Sequence, residues 1–210
     1  MFLTNNINKP AFFSFVPVTF YKFKEMKKIA KWKQLDSQLI INHQWCRVRK
    51  DTVELSNGTI IDDFFVNVRP DIALVLPITP QNEIVFVCQY RHGVGEVLLE
   101  LPAGSFSPTE ESPEFAATRE LTEETGYVAE SMIKLATLYD NPVKDTNSVH
   151  LFLASNVQRL QERQLDITEE IEVILVPVEQ VIEYISQGKI CVAGTVAALF
   201  LGLKQLGMLS

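Results

Sequence analysis

Three carboxylates and a guanidinium are packed into the six residues Arg119-Glu120-Leu121-Thr122-Glu123-Glu124. On a helix Glu120 and Glu124 lie four apart and Glu120 and Glu123 three apart, so all three acids share one face. Like charges at that spacing repel by roughly a few tenths of a kcal/mol per pair, which a solvated helix tolerates. A divalent cation would turn the repulsion into attraction, because hard cations such as Mg²⁺ take oxygen ligands and keep several waters. Arg119, four residues before Glu123, can hold part of the cluster in place. Taken alone, the pattern fits a solvated Glu-rich face as well as a cation grip.

The flanking residues narrow the choice. Gly104, Glu111 and the run from Arg119 through Gly126 to Tyr127 resemble the signature of Nudix hydrolases: Gly, five residues, Glu, seven residues, then Arg-Glu-U-x-Glu-Glu-x-Gly-U, with U bulky aliphatic or aromatic. From Arg119 to Tyr127 every specified position matches. Six residues rather than five separate Gly104 from Glu111, and taking Glu110 instead breaks the seven-residue spacing to Arg119. One extra residue is therefore expected in the loop Ser105–Glu110. The resemblance covers roughly residues 45–206 and implies cleavage of a nucleoside diphosphate linked to another group, by water attack on phosphorus. It also implies Mg²⁺, with Mn²⁺ as a substitute. Glu120 and Glu124 would be ligands, Glu123 a ligand or a hydrogen-bonded helper, the Ala103 carbonyl a further ligand and Arg119 the residue that orients them. Such chemistry needs cations because a pyrophosphate repels an incoming nucleophile.

Within that family, Gln89-Tyr90-Arg91-His92-Gly93-Val94 and Glu100-Leu101-Pro102-Ala103-Gly104 resemble the branch that hydrolyses ADP-ribose and similar nucleotide sugars. The resemblance puts Arg91 at a phosphate as a fork donor, with a surface salt bridge as the alternative. Glu100 joins the metal shell or bonds backbone at a strand end. Pro142, sixteen residues after Gly126, sits where proline marks ADP-ribose hydrolases, so Asp140–Asn147 is expected to be the substrate-side loop. The general base is expected from the acidic loop Gln164–Glu170, at Glu169 or Glu170, against the alternative of a solvated loop. The implied reaction gives AMP and ribose 5-phosphate from ADP-ribose. The alternatives are GDP-mannose or another nucleoside diphosphate sugar, and a non-catalytic nucleotide-binding module on the same fold.

The elements that must position these groups are legible in outline. Ser112 stands where an N-cap belongs, Pro113 at the first helical position and Gly126 just past the end, which frames a helix over Ser112–Thr125. Ile72–Pro77 and Glu83–Tyr90 read as two apolar strands of a buried hairpin, and Glu96–Leu101 as a third strand. Further strands are expected at Lys134–Leu138, Val149–Ala154 and Ile171–Val176, and helices at Val178–Gln187 and Ala193–Leu206. Upstream, short alternating runs from Trp45 to Val68, with the turn signal Asn57-Gly58, read as a small antiparallel meander. The expected fold is α/β, a Nudix-type α/β/α sandwich with a mixed sheet plus that N-terminal antiparallel β meander. The expected segments are 1–25 as a disordered extension, 26–66 as the meander and 67–210 as the Nudix domain.

Composition excludes other classes. The chain has 210 residues, 47% hydrophobic and 21% charged, and no apolar stretch of the roughly 20 residues a spanning helix needs. Of its net charge of −7, the first 35 residues carry seven lysines against Glu25 alone, so the rest is strongly acidic. That balance opposes binding to a nucleic-acid backbone. Cys46, Cys88 and Cys191 are odd in number and widely spaced, which fits a reducing cytoplasm. The first 25 residues hold six of the thirteen phenylalanines, but the lysines from Lys22 to Lys33 follow the apolar run, the reverse of a secretory signal. A sheet of two or three strands is marginal alone, so the meander is expected to pack on the domain or on a second subunit, as in a homodimer.

Overall fold

A computed structural model describes residues 29–165 and 170–209; the expected extension 1–25 and Glu169 lie outside them. The strands β1 (Lys33–His43), β2 (Cys46–Glu54) and β3 (Ile60–Asn67) form an antiparallel sheet of order β1-β2-β3. The meander begins earlier than its alternation suggests. β1 is exposed along all eleven residues, so no buried face imposes an apolar–polar rhythm on it. The two short runs after Trp45 are one strand, β2, and Gly58, at φ +84°, makes the turn into β3.

The rest of the chain builds β4 (Asp71–Ile78), β5 (Glu83–Arg91), β6 (Glu96–Glu100), β7 (Ala103–Phe106), helix α1 (Pro113–Thr125), β8 (Tyr127–Val128), β9 (Ser131–Leu138), β10 (Val149–Ser155), β11 (Gln158–Arg159) and β12 (Ile171–Pro177). A 3₁₀ turn (Val178–Gln180), α2 (Val181–Ser186) and α3 (Ala193–Gln205) follow. Seven strands share one mixed sheet of order β12-β5-β4-β10-β9, with β6 on β5 and β7 on β4. Only β10 and β4 run parallel within it.

The sheet forks where the site lies. β4 and β5 are paired only at Ile78 and Ile84, so the expected hairpin splays almost at once. β6 fills the gap on the β5 side and β7 on the β4 side. At the crotch the Val75 N–H donates to the Pro102 carbonyl at 2.9 Å, which fixes the corner between Glu100 and Gly104. β7, expected as loop, is a strand because β4 offers it an open ladder.

Helices cover both faces. α1 packs through Ala116, Ala117 and Leu121 on Ala73, Val75, Val85, Phe106 and Phe152. α3 brings Ala198 and Leu199 onto the opposite face, with Leu74, Leu76, Phe86 and Leu151. Burying a Leu or Phe this fully contributes about 1.5–3 kcal/mol each.

α1 is capped as its sequence indicates. The Ser112 hydroxyl accepts from Phe115 N, Pro113 opens the helix, and Gly126 ends it at φ +76° with its N–H on Thr122 O. A Cβ at Gly126 would also collide with the Gln161 carbonyl. Gly126→Ala is therefore expected to cost about 2 kcal/mol, from left-handed strain and the clash, lowering Tm by roughly 4–8 °C in a thermal melt. An unchanged melt would refute that account of the helix end.

Candidate active site

The site is assembled where α1 lies over the fork. β7 runs antiparallel to β4, pairing Ala103 with Leu74 and Gly104 with Ala73, beneath the helix. The small Ala116 and Ala117, both fully buried, let α1 sit close to the sheet. Its buried face then carries Glu120 and Glu124, 8% and 2% exposed, beside Leu121. Gly104 makes this fit possible, because a Cβ there would coincide with the Glu120 carboxylate. Glu124 Oε2 accepts from the Ala103 N–H at 3.1 Å, tying the helix to β7 through the residue expected to lend its carbonyl.

Arg119 organises the acids. Its Nη2 and Nε reach the two carboxylate oxygens of Glu111 at 2.8 and 3.3 Å, and its Nη1 donates to Glu120 at 2.7 Å and to Glu123 at 2.9 Å. The Glu111 bond does most to raise the guanidinium pKa above its already high value, with Glu120 and Glu123 adding to it against a desolvation penalty. Arg119 is a permanent cation. Sequence reading used Glu111 only as a spacing mark, yet it anchors the whole cluster. The turn Ser107–Glu111, where Glu110 N and Glu111 N both donate to Ser107 O, delivers it to Arg119.

The other expected residues are distributed around this centre. Arg91, half-exposed at the end of β5, donates its Nε to Glu100 at 2.6 Å, so the two expected residues form one ion pair. Pro142 is exposed in a turn where Lys144 N and Asp145 N both donate to Asn141 O. Lys144 Nζ lies over the Phe64 ring, 5.0 Å from its centroid. Glu170 is exposed just before β12, and Glu169 is outside the described residues. The chain entering that acidic loop runs along the end of α1, with Gln164 N donating to Glu123 O at 2.9 Å. A cleft of about 320 Å³ separates the two, lined by Phe115, Arg119 and Thr122 on the helix and Gln161, Glu162 and Gln164 on the loop.

Among the described residues no three acidic, histidine or cysteine side chains converge on one point suited to an ion. Arg119 Nη1 lies between Glu120 and Glu123, and Glu124 turns to Ala103. The chemistry of the donors nevertheless suits a hard divalent cation. All are oxygens, and two belong to carboxylates largely withdrawn from water. The missing Cβ at Gly104 leaves the space those oxygens use.

Comparison with known proteins agrees with this architecture. The NUDIX domain profile matches residues 68–192, and that of the nucleoside diphosphate sugar hydrolase N-terminal domain matches residues 32–67. The chain belongs to the Nudix family, and it is a Nudix-type pyrophosphohydrolase acting on phosphoanhydride bonds. Family membership implies dependence on a divalent metal. The chain is 35% identical over 186 residues to the ADP-ribose pyrophosphatase of Bacillus subtilis, covering 88% of this chain and 96% of that protein. It is 31% identical to the methanol dehydrogenase activator of Bacillus methanolicus, over 83% of this chain and 94% of the relative. The crystal structure of an ADP compounds hydrolase superposes with a TM-score of 0.76 at 23% identity, over 88% of this chain and all of that one, a likeness of fold. Among the described residues no helix is long and apolar enough to cross a membrane.

Gly104→Ala separates site geometry from stability. The atoms in its way are the far end of a flexible side chain, so folding is expected to change by less than about 1 kcal/mol. The displaced Glu120 is expected to cost about 10²-fold in kcat. Steady-state kinetics beside a thermal melt measures both, and full activity would show that the close approach has no role in catalysis.

Proposed function

We propose that this protein hydrolyses the pyrophosphate bond of ADP-ribose or a closely related nucleotide sugar with the help of Mg²⁺, releasing AMP and ribose 5-phosphate. The observation that carries the proposal is the buried pair Glu120, set against Gly104 and held by Arg119, and Glu124, which accepts from the Ala103 N–H. The similarity to an ADP-ribose pyrophosphatase along nearly its whole length supports the substrate class. Pro142 adds to it.

Glu120 and Glu124, with the Ala103 carbonyl and Glu123 as further donors, are the groups that would hold the cation. When bound there, the cation supplies charge neutralisation at the diphosphate and activation of water. The chain's own residues do the rest. Arg119 keeps the carboxylates in register through its fork to Glu111 and its bonds to Glu120 and Glu123. Arg91, at the open end of β5 and half in solvent, exchanges part of its bond with Glu100 for a substrate phosphate oxygen. Glu169 or Glu170 takes the proton from the attacking water, in a loop whose entry is tied to Glu123 by Gln164.

A panel of nucleotide sugars with and without Mg²⁺, read as released monophosphate, tests the reading. ADP-ribose turnover that requires the metal, with Glu124→Gln lowering kcat by about 10²–10³, is the expected result. Equal turnover in the variant would sink the metal site. Turnover of GDP-mannose but not ADP-ribose would overturn the substrate and leave the chemistry.

The protein is also proposed to act as a homodimer through its N-terminal sheet. Leu35, Leu39, Ile40 and Ile41 on β1, and Trp45 beside it, are each more than a third exposed in the single chain. Three strands with such apolar residues in water are marginal, and a second copy is their cover in this proposal. Sedimentation equilibrium at micromolar concentration should give twice the chain mass. A monomer would end this part of the proposal.

A further inference from the structure

The loop between β9 and β10, Tyr139–Ser148, is held at its ends by those strands and in its middle by one carboxylate. Asp145 Oδ1 accepts from Asn67 Nδ2 at 2.7 Å, and its Oδ2 pairs with Arg69 Nη1 at 3.1 Å. These partners are 78 and 76 residues away in sequence, Asn67 at the end of β3 and Arg69 on the segment that joins it to β4. The Asp145 side chain is only 8% exposed although its loop is on the surface. Main-chain bonds reinforce the joint: Asn67 N donates to Lys144 O at 2.7 Å and Thr146 N to Asn67 O at 3.1 Å. Lys144 covers Phe64, whose ring meets Trp32 edge-on at 5.7 Å. The loop is thus fastened to the N-terminal sheet.

This conformation is imposed rather than local. Two residues on, the Asn147 side chain is buried and, among the described residues, neither its amide nitrogen nor its amide oxygen has a hydrogen-bond partner, an arrangement the loop has no local reason to adopt. A loop that accepts this arrangement needs restraint from elsewhere, and charge-assisted bonds to a withdrawn carboxylate provide it. The loop also stands close to the site. Ile72 of β4 pairs with Ser105 of β7 on one side and Val149 of β10 on the other, so the loop's exit is two strand spacings, about 10 Å, from the strand that carries Gly104. The carboxylates have their own fastening, through Arg119 and Glu111.

We infer that Asp145 is a positioning residue, which pins the loop Tyr139–Ser148 to the N-terminal sheet in the place where substrate meets it; this rests on the reading of that loop as the substrate side. A loop already ordered spends no binding energy on being ordered. Loss of the clamp therefore acts on substrate affinity and leaves the chemical step alone.

Kinetics with ADP-ribose and Mg²⁺ on the full chain tests this. Asp145→Ala is expected to raise KM about tenfold with kcat held within about twofold. Asp145→Asn, which keeps an oxygen for Asn67, should recover part of that. Arg69→Ala should raise KM about threefold, and combining it with Asp145→Ala should add nothing, because the two share one interaction. If Asp145→Ala does not fold, Arg69→Ala carries the comparison. KM within twofold of the unmodified protein in the folded variants, or a loss confined to Tm, overturns the inference while the functional reading stands. No turnover by the unmodified protein overturns both.

Discussion

The guanidinium of Arg119 holds Glu111, Glu120 and Glu123 at once, on a helix whose same side drives Leu121 into the core. That combination constrains everything around it. Acidic groups withdrawn from water need a cation or several donors, and a helix that buries them must also pack tightly enough to keep them still. Ala116 and Ala117 bring α1 down onto the sheet, Gly104 opens space for Glu120, and the Ala103 N–H receives Glu124. Remove any of these and the helix could still form, but its acids would point differently. The fork between β4 and β5 follows from the same need. Only by splaying the two strands can the chain insert β7 under the helix with its main chain facing the carboxylates.

What was legible in the sequence was what is decided locally. Ser112, Pro113 and Gly126 frame α1 because caps depend on the few residues beside them. The family signature could be read because a helix converts spacing directly into a shared face. The strand β1 fell within the expected meander 26–66, but its bounds could not be read because its eleven residues are all exposed and carry no alternation. The hairpin Ile72–Tyr90 was legible as two strands that pair, but not in how soon they part, since β6, β7, β10 and β12 arrive from elsewhere in the chain. Glu111 was visible as a motif position, but its bond to Arg119 depends on how the turn after Phe106 folds back. The clamp at Asp145 spans 76 to 78 residues and has no local signal at all.

These two fastenings divide the labour. The carboxylate frame is built within about twenty residues of chain, from Gly104 to Gly126, and is closed by its own hydrogen bonds. The surface around it is assembled from distant pieces: Arg91 and Glu100 from the β5–β6 hairpin, Pro142 and Asp145 from the loop before β10, and the N-terminal sheet behind them. In the proposed function, a change in the second set acts on the substrate contact. In the same proposal a change in the first acts on the bond-breaking step. A fold organised this way can keep one bond-breaking step while the group attached to the diphosphate varies, because each task draws on separate contacts. The N-terminal sheet is then more than an appendage. By holding Asp145 through Asn67 and Arg69, it gives the loop a position that β9 and β10 alone leave open over ten residues of chain.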